Sequence, residues 1–377
     1  MCSQNITITD IPTIDQLPVN AIHRVFRDSE GYMWYGTVNG LCRDDGYHVK
    51  VFRSDIETPG LLEDNLVECI AEDKKGNIWF GTDKGVYILD KSDYSVHPMD
   101  RERLKNIPVM YLYATSDGYM WLSYRSILAK YDINGQLVKE YPLRNKYGRT
   151  TISGFCESRN HEIIISVWNG RVYHLDKEKD EFVPYPDKMR RQNPTVMVQD
   201  NEQEYFWLAT WGDGVVRFDP SAPEDSMFVY SEIPVNAAGE EDGVILSLVQ
   251  DDKLGYIWLT TGHDFMSLQI QPDKTLKQLK FQTGLLPVNH MLVEVLKGRG
   301  CLWVSAFDRP SFIVHLMDNM TKDYALPALA DRVNRSPAVM ALCDDGDGMM
   351  WMMQERTGLV LYLSLIHISE PTRLDVI

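Results

Sequence analysis

Long apolar runs are missing from this chain. Nowhere do about 18 apolar residues follow one another, the length that a membrane-crossing helix needs. The opening stretch, MCSQNITITD, lacks the basic segment and apolar core of an export signal. Cysteine is sparse: Cys2, Cys42, Cys69, Cys156, Cys301 and Cys343 include no CxxC pair, which suits neither a zinc site nor a dense disulfide framework. Most stand in apolar runs such as LVECIAED and read as small core residues. Basic residues are outnumbered, 38 Lys and Arg against 54 Asp and Glu, for a net charge of −16. That argues against a sequence-independent grip on nucleic acid, which needs a basic face, and against docking on anionic membranes. No GxSxG, HExxH or P-loop motif occurs, and the nine histidines show no metal-ligand spacing. The acidic run DDGDG, residues 344–348, carries Gly346 where a calcium ligand would stand and reads as a turn. Nor does a helical period persist over ten residues.

What the chain has is a repeat. Its 377 residues are 44% hydrophobic and 24% charged, with 19 Tyr and 9 Trp, which suits a folded β-rich protein. Aligned on a recurrent tryptophan, the units place Trp34, Trp79, Trp121, Ile165, Trp207, Trp258, Trp303 and Trp351 in register. The steps are 45, 42, 44, 42, 51, 45 and 48 residues, the length of a four-stranded propeller blade. Upstream of each anchor comes an apolar run and an acidic or Gly turn, as in LVECIAEDKKG and VILSLVQDDKLG. Downstream come a small residue, a short turn and a second alternating strand such as GVYILD or GVVRFD. Each unit therefore reads as strands A to D, with the tryptophan in strand B filling the wedge between blades. The residue two places on is small (Gly36, Gly81, Ser123, Ala209, Thr260, Ser305), as close sheet packing requires.

The pattern predicts an all-β, seven-bladed propeller over residues 5–326, with residues 5–10 closing the last blade. A linker follows at 327–337. Residues 338–362 read as the first strands of an eighth unit, which either joins the ring or begins a second propeller.

Several units resemble the two-component regulator propeller repeat, roughly Asp, Gly, Ile-Trp-small-Gly-Thr, Gly-Leu, aromatic-Asp. DKKGNIWFGTDKGVYILD (73–90) matches nearly throughout, and DSEGYMWYGTVNGLCRDDG (28–46) closely. Units three to seven depart progressively. The resemblance implies the extracytoplasmic, periplasmic sensor region of an inner-membrane hybrid two-component regulator. In that family two propellers precede a small β-domain, a membrane helix, a histidine kinase and DNA-binding parts, and many members respond to oligosaccharides. It further implies a homodimeric receptor and a second propeller in the same chain. The fragment itself reads as non-catalytic, with no cofactor, no metal and no nucleic acid contact. A glycan-cleaving propeller enzyme and a passive interaction scaffold are the alternatives. The enzyme would need paired acids at the pore mouth, for which Asp213, Asp264 and Asp308 are candidates.

One feature of the loops points to a site. In a propeller the B–C and D–A loops open on the same face. Units one and two have the plain turns TVNG and TDKG there. Later units carry Tyr124 with Arg125, Trp168 with Asn169, Trp211 with Asp213, His263 with Asp264 and Phe265, and Phe307 with Asp308 and Arg309. Turns favour small polar residues, whereas flat rings beside Arg, Asp and Asn suit sugar recognition. A ligand surface, a contact with the second propeller and ordinary packing are the three readings.

The tail LSLIHISEPTR, 363–373, resembles a translated sequencing adapter and does not continue the repeat. Residues 363–377 are therefore expected to be non-native. A chain ending at Tyr362 should melt at the same temperature as the full 377 residues; a drop of several degrees would show that the tail belongs to the fold.

Overall fold

The computed structural model describes residues 6–145, 147–186, 189, 193–236, 239–251, 255–261, 264–279, 292–298, 300–306 and 310–316, and three later strands. For residues 6, 292–294, 339–344, 350–354 and 358–362 it describes the backbone. Contacts divide the chain into two compact units, Met1–Leu316 and Met317–Ile377.

The first unit is seven four-stranded antiparallel sheets set in a ring. Their inner strands, A, are Ile22–Arg27, Val67–Glu72, Val109–Ala114, Ile152–Glu157, Pro194–Gln199, Ile245–Gln250 and Leu292–Lys297. Blade 2 shows the plan: after strand A come Ile78–Thr82, Gly85–Leu89 and Val96–Met99, each paired with the one before. In blade 7 the outer strand comes from the N-terminus. Ile6–Asp10 pairs antiparallel with Phe312–Leu316, from Ile6↔Leu316 to Asp10↔Phe312, which closes the ring as the sequence predicted. The inner strands of blades 7 and 1 lie against each other. In the second unit Val339–Asp344, Met350–Gln354 and Gly358–Tyr362 form a three-stranded antiparallel sheet. The expected linker and tail lie outside the described residues.

The repeated tryptophan is held by the turn before it. In blade 2, Asp73 Oδ1 accepts the backbone N–H groups of Lys75 (2.8 Å) and Asn77 (3.0 Å), fixing the A–B turn. Its Oδ2 accepts the Trp79 indole N–H at 2.8 Å. Asp28 does the same for Trp34 at 2.9 Å, and Asp200 for Trp207 at 2.8 Å. All three indoles are fully buried, so the acid gives each buried N–H a partner. Neighbouring blades are tied by a second recurrent bond. Glu72, Glu157, Gln199 and Gln250, each ending a strand A, accept from the backbone N–H of Ser29, Ser116, Arg159 and Asn201 in the preceding blade's turn, at 2.7–2.8 Å.

The small residue two places past the anchor is sterically required. A Cβ on Gly81 would lie 2.5 Å from Cys69 Sγ and 2.6 Å from the Val109 carbonyl of the next blade.

One sequence alignment needs correction. The anchor position of blade 4 is Ile164, not Ile165. Counting from the strand A bulge, Trp121 pairs with Tyr113, and Ile164 with Cys156 in the equivalent place. Ile164 packs toward blade 5 with Met197, Phe206 and Phe218, as anchors do, whereas Ile165 faces blade 3 with Trp121 and Tyr141. Trp303, counted as an anchor, is only partly buried. The Trp351 side chain lies outside the described residues.

Blade 3 has Thr115 where blades 1 and 2 have the acid, and the buried Trp121 Nε1 has no hydrogen-bond partner among the described residues. Trp79→Phe removes a buried hydrogen bond and leaves Asp73 Oδ2 with the Asn77 amide alone (3.1 Å); Trp121→Phe removes no hydrogen bond among the described residues. We expect Trp79→Phe to cost about 3 kcal/mol and Trp121→Phe about half that, measured by urea unfolding. Equal losses would refute the Asp–Trp bond as the distinguishing interaction.

Candidate functional site

In blades 1 and 2 the B–C turn is closed by the threonine that ends strand B. Thr82 Oγ1 donates to the Gly85 carbonyl and accepts from the Lys84 N–H, both at 3.1 Å. Thr37 repeats this with Gly40 and Asn39. Gly40 has φ +115, and a Cβ there would meet the Phe52 carbonyl at 2.6 Å, so glycine is needed. Blade 5 keeps the device with one residue more: Thr210 Oγ1 donates to the Gly214 carbonyl (2.8 Å) and accepts from the Asp213 N–H (3.0 Å). The longer turn places Trp211 at the surface, 48% exposed.

Both loop tryptophans are braced through the main chain. Trp211 N–H donates to the Asn193 carbonyl at 2.9 Å, and the Asn193 amide donates back to the Trp211 carbonyl. Trp168 N–H donates to the Thr151 carbonyl at 2.9 Å. Its carbonyl accepts from Asn145 Nδ2 (2.9 Å) and Thr150 Oγ1 (2.7 Å). The preceding D–A loop thus holds each backbone while the ring stays at the surface. The two indoles meet edge to face, 5.6 Å apart at 82°. Tyr147, 75% exposed, stands in the short hairpin that braces Trp168.

The other expected residues separate. Asn169 and Arg125 are exposed, each with a left-handed backbone (φ 50 and 53). Tyr124 is buried, and its hydroxyl donates to Glu140. That contact and burial push the Tyr124 phenol above its ordinary range, burial being the larger cause. Phe265 is buried and lies flat on Trp258 at 5.6 Å and 12°. Asp213 and Asp264 are both buried. His263, Phe307, Asp308 and Arg309 lie outside the described residues.

A second feature was not read from the sequence. Every strand A, including that of the last three-stranded sheet, carries a register shift at its head, as between Ile22 and Arg24 or Val67 and Cys69. Such bulges re-aim side chains. They set His23 Nδ1 3.6 Å from Glu68, while Arg24 Nε donates to the Glu68 carbonyl at 2.9 Å. Apolar residues spaced by three at the strand head, Ile22 with Val25 and Val109 with Leu112, were the available signal. Nearby, burial and the charges of Glu68 and Asp64 raise Asp83 above the usual carboxylate range.

Anchor and loop tryptophans should separate by stability. Trp79→Ala should cost about 3–5 kcal/mol, as for a large ring removed from a core. Trp211→Ala should stay below about 1 kcal/mol, as for a surface change. Equal destabilisation in thermal melts would erase the distinction.

The two-component regulator propeller family matches residues 16–39 and 61–84, which span the A–B hairpins of blades 1 and 2. No curated protein matches the sequence. Among solved structures the chain is similar to the extracellular domain of the hybrid two-component system BT4673 of B. thetaiotaomicron, with TM-score 0.65 and 18% identity over 91% of this chain and 46% of that one. The corresponding domain of BT3049 gives TM-score 0.62 and 15% identity, over 96% of this chain and 48% of that one. Virginiamycin B lyase from Staphylococcus aureus gives TM-score 0.64 and 11% identity, over 83% of this chain and 99% of that one. At these identities the likeness is one of fold. The chain spans less than half of the two-component extracellular domains it matches. The regulator propeller model thus matches the A–B hairpins of blades 1 and 2 of a seven-bladed propeller.

Proposed function

We propose that this propeller is the ligand-sensing, extracytoplasmic part of a membrane-bound hybrid two-component regulator. The carrying observation is the regulator repeat in blades 1 and 2. The likeness to extracellular domains about twice as long supports it, as does the sheet at Val339–Tyr362, which begins another unit with the same bulged strand A. The complete sensor then has a second propeller, forms a homodimer in the periplasm and signals to a histidine kinase further along the chain.

The loop face of blades 4 and 5 is the recognition surface, and its ligand is an oligosaccharide. Trp168 and Trp211 offer flat apolar faces to sugar rings, and the exposed Asn169 supplies a planar hydrogen-bonding group beside Trp168. Their braced backbones keep the cost of ordering low on binding. The mechanism is a population shift: a ligand favouring one arrangement of the propellers biases the dimer only by its differential affinity for that arrangement.

The test is an oligosaccharide array probed with the complete extracytoplasmic region, followed by calorimetry on the hits. Trp168→Ala and Trp211→Ala should each weaken binding about tenfold, the equivalent of about 1.4 kcal/mol of lost stacking, with melting unchanged. Wild-type affinity in both variants, or no hit on the array, would overturn the assignment.

A further inference from the structure

Charge is unevenly spread over this acidic chain. The B–C turns of blades 3 and 4 (124–127 and 167–172) and the D–A segment between them (142–151) carry Arg125, Arg144, Lys146, Arg149 and Arg171 and no Asp or Glu. The D–A loop of blade 5, residues 231–244, is the opposite, with Glu232, Glu240, Glu241 and Asp242 and no basic residue. Arg125, Arg144, Arg149 and Arg171 are all exposed. Arg125, Arg144 and Arg149 form no ion pair with a described residue, whereas Arg53, Arg101, Arg103 and Arg159 each meet a carboxylate at 2.6–3.5 Å.

The fold gathers these arginines. Leu143 N–H donates to the Ser126 carbonyl at 2.8 Å, which extends the ladder of blade 3 and brings Arg144 beside the turn that holds Arg125. Arg144 in turn pairs directly with Arg149 across the short hairpin. Like charges directly opposite are destabilising. Arg125 also takes a left-handed φ of 53, which arginine adopts only at a cost. The same hairpin braces Trp168 through Asn145 and Thr150, so the arginines border the loop tryptophan. The nearest acids do not neutralise them. Asp180 accepts from Lys139 and Tyr141, and Glu140 from Tyr124 and Arg103. Glu181 borders the same surface depression as Arg144 but lies beyond ion-pair distance of it.

We propose that this basic row makes the ligand of the loop face an acidic oligosaccharide, one that bears carboxylate or sulfate groups. The inference rests on the sugar-binding reading of Trp168 and Trp211 and adds the charge of the sugar. The flat fork of an arginine matches the paired oxygens of such groups. An anion seated among the three arginines relieves a repulsion that the protein itself leaves standing. The acidic loop of blade 5 gives the site a direction: the charged groups lie on the Trp168 side, and an uncharged ring lies towards Trp211.

The test is an array probed with the 377-residue chain. Its acidic members are oligogalacturonides, alginate and chondroitin sulfate fragments and κ-carrageenan oligosaccharides; its neutral members are cello-, xylo- and manno-oligosaccharides. Hits should fall among the acidic members and weaken in calorimetry as NaCl rises from roughly 0.05 to 0.5 M. The triple variant Arg125→Gln, Arg144→Gln, Arg149→Gln should weaken them about tenfold, at an unchanged or higher melting temperature because the like-charged pair is gone. If the triple variant does not fold, Arg125→Gln and Arg149→Gln decide singly, each expected to weaken binding about twofold. Hits among the neutral members alone would overturn the proposal and leave the sugar-binding reading standing. No hit at all would overturn that reading, and the proposal with it. Acidic hits that keep their affinity in the folded variants, or equal binding of decathymidylate, would also overturn it.

Discussion

Neighbouring blades touch at their inner strands and diverge outward, so each junction is a wedge that must be filled without pushing the narrow end apart. One pair of positions does both. The tryptophan in strand B fills the wedge, and the residue two places on lets the next inner strand approach. At Gly81 a single added carbon would collide with the Val109 carbonyl. The indole brings a polar N–H into a dry place, and the aspartate of the A–B turn answers it while its other oxygen shapes the turn. One acid therefore couples turn, strand and blade junction.

Two neighbouring blades depart from that scheme, as does blade 7, where Gly298 stands in the acid's place and Trp303 is only partly buried. Blade 3 loses the acid, and blade 4 loses the tryptophan. The 4/5 junction is instead filled by Tyr185, Phe218 and Phe228 in contact at 5.0 Å. Beside it the B–C loops of blades 4 and 5 stop being plain turns and present the two indoles. Blades 1 and 2, whose A–B hairpins match the regulator propeller model, hold plain turns. The regular blades serve as frame, and the irregular ones carry the surfaces that differ.

The fold was legible because it is stated many times over. A period of 42–51 residues with an anchor and turn in each unit overdetermines blade number, and even the closing strand at the N-terminus could be placed. The register of blade 4 was not, because Ile163, Ile164 and Ile165 are chemically alike and alternation cannot tell which faces blade 5. The bulges were missed since one extra residue leaves composition unchanged. Among the loop residues, Trp168 and Trp211 stood out as large rings in turns and do lie together on the surface. Phe265 looked similar in sequence, but it begins strand C and stacks on Trp258. A loop's sequence shows that a ring is present; the strand boundary decides whether it points out or in.

Ring closure explains why the arc of blades 3 and 4 can vary. The seam joins blades 7 and 1 through five paired residues of the N-terminal strand. Loop-closure entropy grows only with the logarithm of the chain enclosed, so a distant pairing is scarcely dearer than a nearer one once the strands are fixed. At every other junction around the ring the inner strands run in close contact; those of blades 3 and 4 do not, and in a ring of seven their junction lies nearly opposite that seam. An open chain with a loosened junction would part there. In a closed ring, separating blades 3 and 4 also strains the six tight junctions, whose inner strands are in contact. The closure therefore carries the cohesion that the 3/4 wedge lacks, and leaves that wedge and the neighbouring loops free to depart from the Asp–Trp scheme.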